Sequence, residues 1–209
     1  FEGYFAGQEQ PATFTAQSYD AFGTTVTITP TWAAGAVAAA MQSFLRPDPH
    51  WTTIDRSDLL VDWIGTDTRQ PGDPLTLTIS GLPAGTYNWR SYHHDVGHNP
   101  DRQYQTGLFD VTVNDATGST TTTGIDISCT ATVVEGIDRF ADVTKFTTQI
   151  VSGGSDITFV FHQQVNDPVP EAFFAMNGFE LSYPPAMARS PLPANQASDV
   201  PLDTVLTWT

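Results

Sequence analysis

Cysteine and positive charge are nearly missing from this chain. Its 209 residues hold one cysteine, Cys129, which excludes an internal disulfide framework and any multi-cysteine zinc site. Lysine and arginine total eight, with Lys145 the only lysine, against 23 acidic residues and a formal net charge of -15. A surface of that sign repels phosphate backbones, so nucleic acid is not an expected partner. No run of about 18 apolar residues occurs, so no membrane insertion is expected. Catalytic signatures are missing too. There is no Gly-x-Ser-x-Gly elbow, no His-Glu-x-x-His pair, no phosphate-cradling glycine loop and no Asp-x-Asp-x-Asp-Gly calcium loop. Glutamate occurs only at Glu2, Glu9, Glu135, Glu171 and Glu180, few candidates for the paired carboxylates of a glycosidase.

What is present is a β pattern. Apolar residues make up 40% and aromatics 11%, enough for a sizeable core, and 15 prolines with 16 glycines punctuate the chain. Thr24 to Thr31 is β-branched and alternating, and Leu59 to Ile64 is a short apolar run. Leu75 to Ser80 alternates apolar and hydroxyl residues. The turn Gly81-Leu82-Pro83-Ala84-Gly85 joins it to the aromatic run Thr86 to His94, and the pair predicts a hairpin. Further strands are expected over Gly107 to Asn114, Phe146 to Val151, Ile157 to His162 and Phe173 to Tyr183. Ala33 to Leu45 is the one helical candidate, rich in alanine but interrupted by Gly35. Strands at this spacing, with Gly/Pro/Asn turns, predict an all-β jelly-roll β-sandwich with one short helix.

The sandwich is expected to occupy 1–186, followed by a Pro/Ala/Ser/Asn linker over 187–199. Residues 200–209 alternate like a strand and resemble the first strand of a following immunoglobulin-like or fibronectin-III-like module. Phe1 to Gly7 has neither the basic start nor the apolar run of a signal peptide, as expected of a mature or trimmed product. The low-lysine, Thr- and Asp-rich style predicts a secreted or cell-surface protein with neighbouring domains on the same chain.

Two stretches carry a family likeness. Leu75 to Tyr92 reads LTLTISGLPAGTYNWRSY, and Phe173 to Tyr183 reads FFAMNGFELSY. Together they resemble the galactose-binding-like and malectin-like β-sandwiches found among carbohydrate-binding modules of secreted bacterial proteins. The resemblance implies a jelly roll, sugar binding at a loop end or on a concave face, and often a structural calcium ion. The sequence does not locate such an ion, although Asp and carbonyl oxygens are plentiful.

A sugar presents apolar CH faces and a ring of hydroxyls, so its site pairs an aromatic plate with bidentate polar groups. Trp89 to Tyr104 (WRSYHHDVGHNPDRQY) supplies both. Strand alternation sends Tyr87, Trp89, Ser91 and His93 to one face and Asn88, Arg90, Tyr92 and His94 to the other. The first set is expected to face the core. Arg90, Tyr92, His94, Asp95 and Tyr104 are then the candidate glycan contacts, with Asp67, Arg69 and Trp51 joining from nearby loops. Structural alternatives stand beside each. Arg90 can pair with a carboxylate on an adjacent strand, Tyr92 and His94 can pack under the loop, Asp67 and Arg69 can hold their own turn, and Trp51 can plug the sandwich end. His94, Asp95 and His98 are a candidate metal set only if the loop folds back, because His93 and His94 point to opposite sides. The expected function is a non-catalytic module binding a polysaccharide or glycan. The alternatives are a structural or adhesive module and, less favoured, a lyase or hydrolase using His94, Tyr92 and Arg90 as base, acid and charge neutraliser.

Overall fold

The computed structural model describes residues 10–11, 15–32, 41–45, 59, 62–68, 74–94, 108–128, 143–164 and 172–184. The strands are β1 (Gln10–Pro11), β2 (Gln17–Ala21), β3 (Thr24–Trp32), β4 (Met41–Leu45), β5 (Asp62–Thr68), β6 (Leu75–Ser80) and β7 (Gly85–His93). They continue as β8 (Leu108–Asp115), β9 (Gly118–Asp126), β10 (Thr144–Ser152), β11 (Ile157–Gln163), β12 (Ala172–Met176) and β13 (Gly178–Ser182). All pair antiparallel in three sheets, of order β2-β3-β6-β11-β8-β9, β1-β4-β5-β12 and β10-β7-β13. The six-stranded sheet is one layer of a β-sandwich. The two smaller sheets share the run β12–β13 and form the other.

Period-two patterning sets which side of each strand is dry. Leu75, Leu77 and Ile79 of β6 are buried, as are Phe109, Val111 and Val113 of β8 and Ile157, Phe159 and Phe161 of β11. They meet Tyr87 and Trp89 of β7 and Phe174 and Met176 of β12 in one core. Trp89 stacks between Phe159 of the facing sheet, ring centroids 4.1 Å apart, and Phe179 of β13, at 4.5 Å. Phe174 packs on Phe109 and Phe161 at 4.9 and 4.8 Å. The stack burying Trp89 joins the three-stranded sheet to the six-stranded one, and the Phe174 contacts do the same for the four-stranded sheet.

Four expectations are corrected. The hairpin of Leu75 to Ser80 with Thr86 to His94 does not form, because β6 pairs with β3 and β11 while β7 pairs with β10 and β13. The Gly81–Gly85 turn therefore crosses from one layer to the other. Buried Leu82 closes the sandwich there, and its carbonyl accepts the Ser152 hydroxyl at 2.9 Å. Residues 41–45 of the helical candidate are a strand, held in register by β5, while 33–40 lie outside the described residues. Asp67, expected in a loop, lies in strand β5. The terminal strand Phe173 to Tyr183 breaks at Asn177, so β12 pairs with β5 and β13 with β7.

Asn177 makes that switch without stranding backbone groups. Its N–H donates to the Tyr92 carbonyl at 2.9 Å, and its side-chain oxygen accepts the His94 N–H at 2.7 Å. Where β5 meets β12 the approach is closest. A Cβ on Gly65 would lie 1.8 Å from the Phe174 carbonyl oxygen, so only glycine fits. The β2–β3 turn has positive φ at both Phe22 (56°) and Gly23 (77°), as a two-residue primed turn requires. Phe22 holds this unusual conformation with its ring edge-on to Tyr87 and Tyr183, each at 5.0 Å.

Asp115 ties the two layers at the end where the Gly81–Gly85 turn crosses. Its carboxylate accepts the Thr117 N–H and hydroxyl at 2.8 and 2.6 Å, and reaches across to the Val151 N–H of β10 at 2.8 Å. Burial pushes this carboxyl up, but bonds from Thr117, Val151 and Gly118 outweigh it and hold the group below the usual carboxylate range. Asp115→Ala is expected to lose about 1–3 kcal/mol of unfolding free energy, the net worth of these charge-assisted bonds. The depressed pKa adds stability above the ordinary carboxylate range that fades as pH falls through the folded value. Urea melts of the variant at pH 7 measure the loss, and a midpoint matching the wild type would remove the tie from the account.

Candidate functional site

The three-stranded sheet has one face in the core and one toward solvent, and its register sorts the outward side chains into rows. Gln149 of β10, Asn88 of β7 and Ser182 of β13 form one row. Thr147, Arg90 and Glu180 form the next, and Lys145, Tyr92 and Gly178 the third. The first two rows line a hollow of about 440 Å³ open to solvent. Polar side chains supply its walls, and Trp89 lies beneath as a fully buried floor.

Arg90 and Glu180 dominate the charge of the hollow. They approach to 3.7 Å, each side chain half exposed. Such a solvated pair contributes about 0–1 kcal/mol to stability, so the fold does not depend on it. Glu180 also accepts the Tyr92 hydroxyl. Burial raises the Tyr92 pKa first, Glu180 raises it further and Arg90 partly opposes both. In the neighbouring row Gln149 donates to the Asn88 side-chain oxygen at 3.3 Å. The hollow thus presents a guanidinium, a carboxylate, two amides and two hydroxyls within two adjacent rows, a dense mixture of donors and acceptors.

The other side of β7 carries a buried polar chain. The Ala175 carbonyl can only accept, so the His93 Nδ1 beside it at 2.8 Å carries the proton. His93 Nε2 then accepts the Ser91 hydroxyl at 2.8 Å, and Ser91 in turn accepts the Trp89 indole N–H at 3.2 Å. Phe109, Phe174 and Phe161 surround the ring with centroids at 4.5, 5.7 and 6.1 Å. Burial lowers the His93 pKa to about 4, against a raising effect of the Ala175 bond. This network fixes the strand that carries Asn88 and Arg90, and of its members only Trp89 also borders the hollow.

The sequence-based candidates divide. Tyr87 and Trp89 face the core as expected, and Arg90 faces the hollow, paired with a carboxylate of the adjacent strand. Tyr92 and His94, expected outward, are buried at 1% and 0% exposure. They lie on the Arg90 side of the strand, but the sheet's outward face closes over them. His94 bridges to Ser128, its Nδ1 2.9 Å from the Ser128 hydroxyl, and the Asn177 crossover seals the same end. The Tyr92 ring is therefore no aromatic plate, and the trio Arg90, Tyr92 and His94 does not present acid and base groups to solvent together. Backbone pairing puts Asp67 in β5 opposite Phe173, on another sheet from the hollow. Trp51, Arg69, Asp95, His98 and Tyr104 lie outside the described residues, and with them the candidate metal set. Among the described residues no three His, Cys, Asp or Glu side chains gather as metal ligands. The sequence alone does not mark Gln149, Thr147 and Ser182 as site residues. Alternation within β10 and β13 exposes them, but only the register with β7 brings them beside Arg90.

No family model and no curated protein matches the chain. Among solved structures it is similar to a family 35 carbohydrate binding module from an environmental isolate, at 11% identity over 68% of this chain and 93% of that one, TM-score 0.38. It is also similar to one from Clostridium thermocellum, at 8% identity over 82% and 100% of the two chains, TM-score 0.35. The ANXUR1 extracellular domain from Arabidopsis thaliana matches at 15% identity and TM-score 0.43. That match covers 80% of this chain and 51% of the other, so the chain spans about half of that ectodomain. The β-sandwich itself is read from the chain's own strands. Among the described residues no helix is long and apolar enough to cross a membrane.

Proposed function

We propose that this chain is a non-catalytic carbohydrate-binding module of a secreted multi-domain protein, and that it holds glycan across the outward face of the β10-β7-β13 sheet. The observation that carries this reading is the hollow of about 440 Å³ walled by Arg90, Glu180, Asn88, Gln149, Thr147 and Ser182. Such a hollow matches the hydroxyl density of a sugar, and its rigid sheet limits the ordering cost of binding. Binding at a single open site of this kind is weak and gains from linkage to neighbouring domains. Affinity electrophoresis through gels containing individual polysaccharides tests it. Retardation by at least one polysaccharide is expected, and Arg90→Ala should weaken that association about tenfold or more while leaving the melting temperature unchanged. Equal retardation of wild type and variant would move the site elsewhere, and passage through every gel would sink the glycan reading.

A second reading draws on β9, the edge strand of the six-stranded sheet, where Gly118 to Gly124 are exposed on both faces and carry no charge or proline. Unprotected edges of this kind accept strands from other chains. A structural or adhesive module would show reversible self-association in sedimentation experiments, abolished by Thr121→Lys. A monomer at every concentration would dismiss it.

A further inference from the structure

The hollow is electrically closed. Among the described residues that line it, Arg90 is the only cation and Glu180 the only carboxylate, 3.7 Å apart, so these walls carry no net charge inside a chain of formal charge -15. Lys145 belongs to the next row, outside the lining, with its ammonium donating to the Val143 carbonyl at 3.1 Å. Tyr92, in the next row, holds the Glu180 carboxylate through its hydroxyl. A ligand carboxylate or sulfate seeking Arg90 must therefore come within contact distance of a second carboxylate that is already held in place. Like charges so juxtaposed disfavour association, whereas a neutral sugar hydroxyl bonds the guanidinium and the carboxylate together. The paired amides of Asn88 and Gln149 add neutral donors and acceptors alongside.

We propose that the hollow is selective for uncharged, hydroxyl-rich glycan and that Glu180 is the residue that excludes acidic glycan. This inference rests on the glycan reading above. Glu180→Gln keeps an acceptor for the Tyr92 hydroxyl and removes the charge, leaving the Arg90 guanidinium without its carboxylate partner. The variant should then accept uronate.

The test uses affinity electrophoresis of the full chain in gels of neutral polysaccharides (galactan, mannan, xylan) and of polygalacturonate, at low and high salt. Wild type is expected to be retarded by a neutral polysaccharide and at least about tenfold less by polygalacturonate. Glu180→Gln should gain retardation by polygalacturonate, lose it again at high salt, and lose it in the double variant with Arg90→Gln. Melting temperatures verify that each variant is folded. Wild type held equally by neutral and acidic polymers overturns the inference while leaving the glycan reading intact. An unchanged preference in Glu180→Gln overturns the assignment to Glu180. Passage of wild type and Glu180→Gln through every gel overturns both the glycan reading and the inference.

Discussion

Gly65→Ala is expected to lower the unfolding free energy by at least about 3 kcal/mol, a drop of about 6–12 °C in melting temperature for a domain of this size. The added methyl would sit 1.8 Å from the Phe174 carbonyl oxygen and 2.8 Å from its carbon. No side-chain rotation relieves contact with backbone, so the β5 and β12 strands must separate. That motion disturbs the pairing of Gly65 with Ala175 and the seat of buried Phe174, whose ring joins the two layers. The effect is therefore larger than that of a methyl group in an ordinary core gap. Thermal and urea melts decide it, and a melting temperature within about 2 °C of the wild type would mean that the strands are not held this close.

Acid is expected to weaken the fold through His93. The ring is neutral in the folded chain, with its pKa lowered to about 4 by burial, while the unfolded chain titrates near 6.5. Between those values the unfolded state binds the proton and the folded state does not. Stability is therefore full above about pH 6.5 and is lost as pH falls toward 4, at up to about 1.4 kcal/mol per pH unit and about 3 kcal/mol in all. Below about 4 the folded ring protonates as well and this contribution levels off. The protonated ring would also lose the Ser91 hydroxyl as a donor to Nε2 and sit charged among three phenylalanine rings. His93→Gln retains a donor for Ala175 and an acceptor for Ser91 but does not titrate. Urea melts across pH 4–7 should show the wild type falling about 3 kcal/mol further than the variant. Parallel profiles would remove His93 as the source of the acid sensitivity.

Both effects depend on contacts between strands distant in sequence, and these mark where the sequence stops being informative. The alternation in Leu75 to Ser80 identified a strand and its dry face, because period two follows from backbone pleating alone. The same argument placed Tyr87 and Trp89 in the core and Arg90 on the opposite side. It failed at Tyr92 and His94, because alternation tells which side of a strand a residue occupies and not whether that side is covered. At His94 the segment at Ile127–Ser128 and the crossover at Asn177 cover it. Glu180 stood out only as a carboxylate on a terminal strand, and its partnership with Arg90 follows from the β13–β7 register.

The sequence by itself determined an acidic, disulfide-free, all-β chain, the apolar face of each principal strand, and Arg90 as an outward cation. These properties depend on composition and on neighbours two residues apart. Tertiary structure alone decided that Leu75 to Ser80 and Thr86 to His94 lie in different layers, that Phe173 to Tyr183 serves two sheets, and that Asn88, Gln149, Arg90 and Glu180 share one hollow. The Gly81–Gly85 turn is compatible with a hairpin or with a crossing between layers. The choice between them follows from which pairing buries the rings of Trp89, Phe159 and Phe179 together, a sum over the whole core that no local stretch contains.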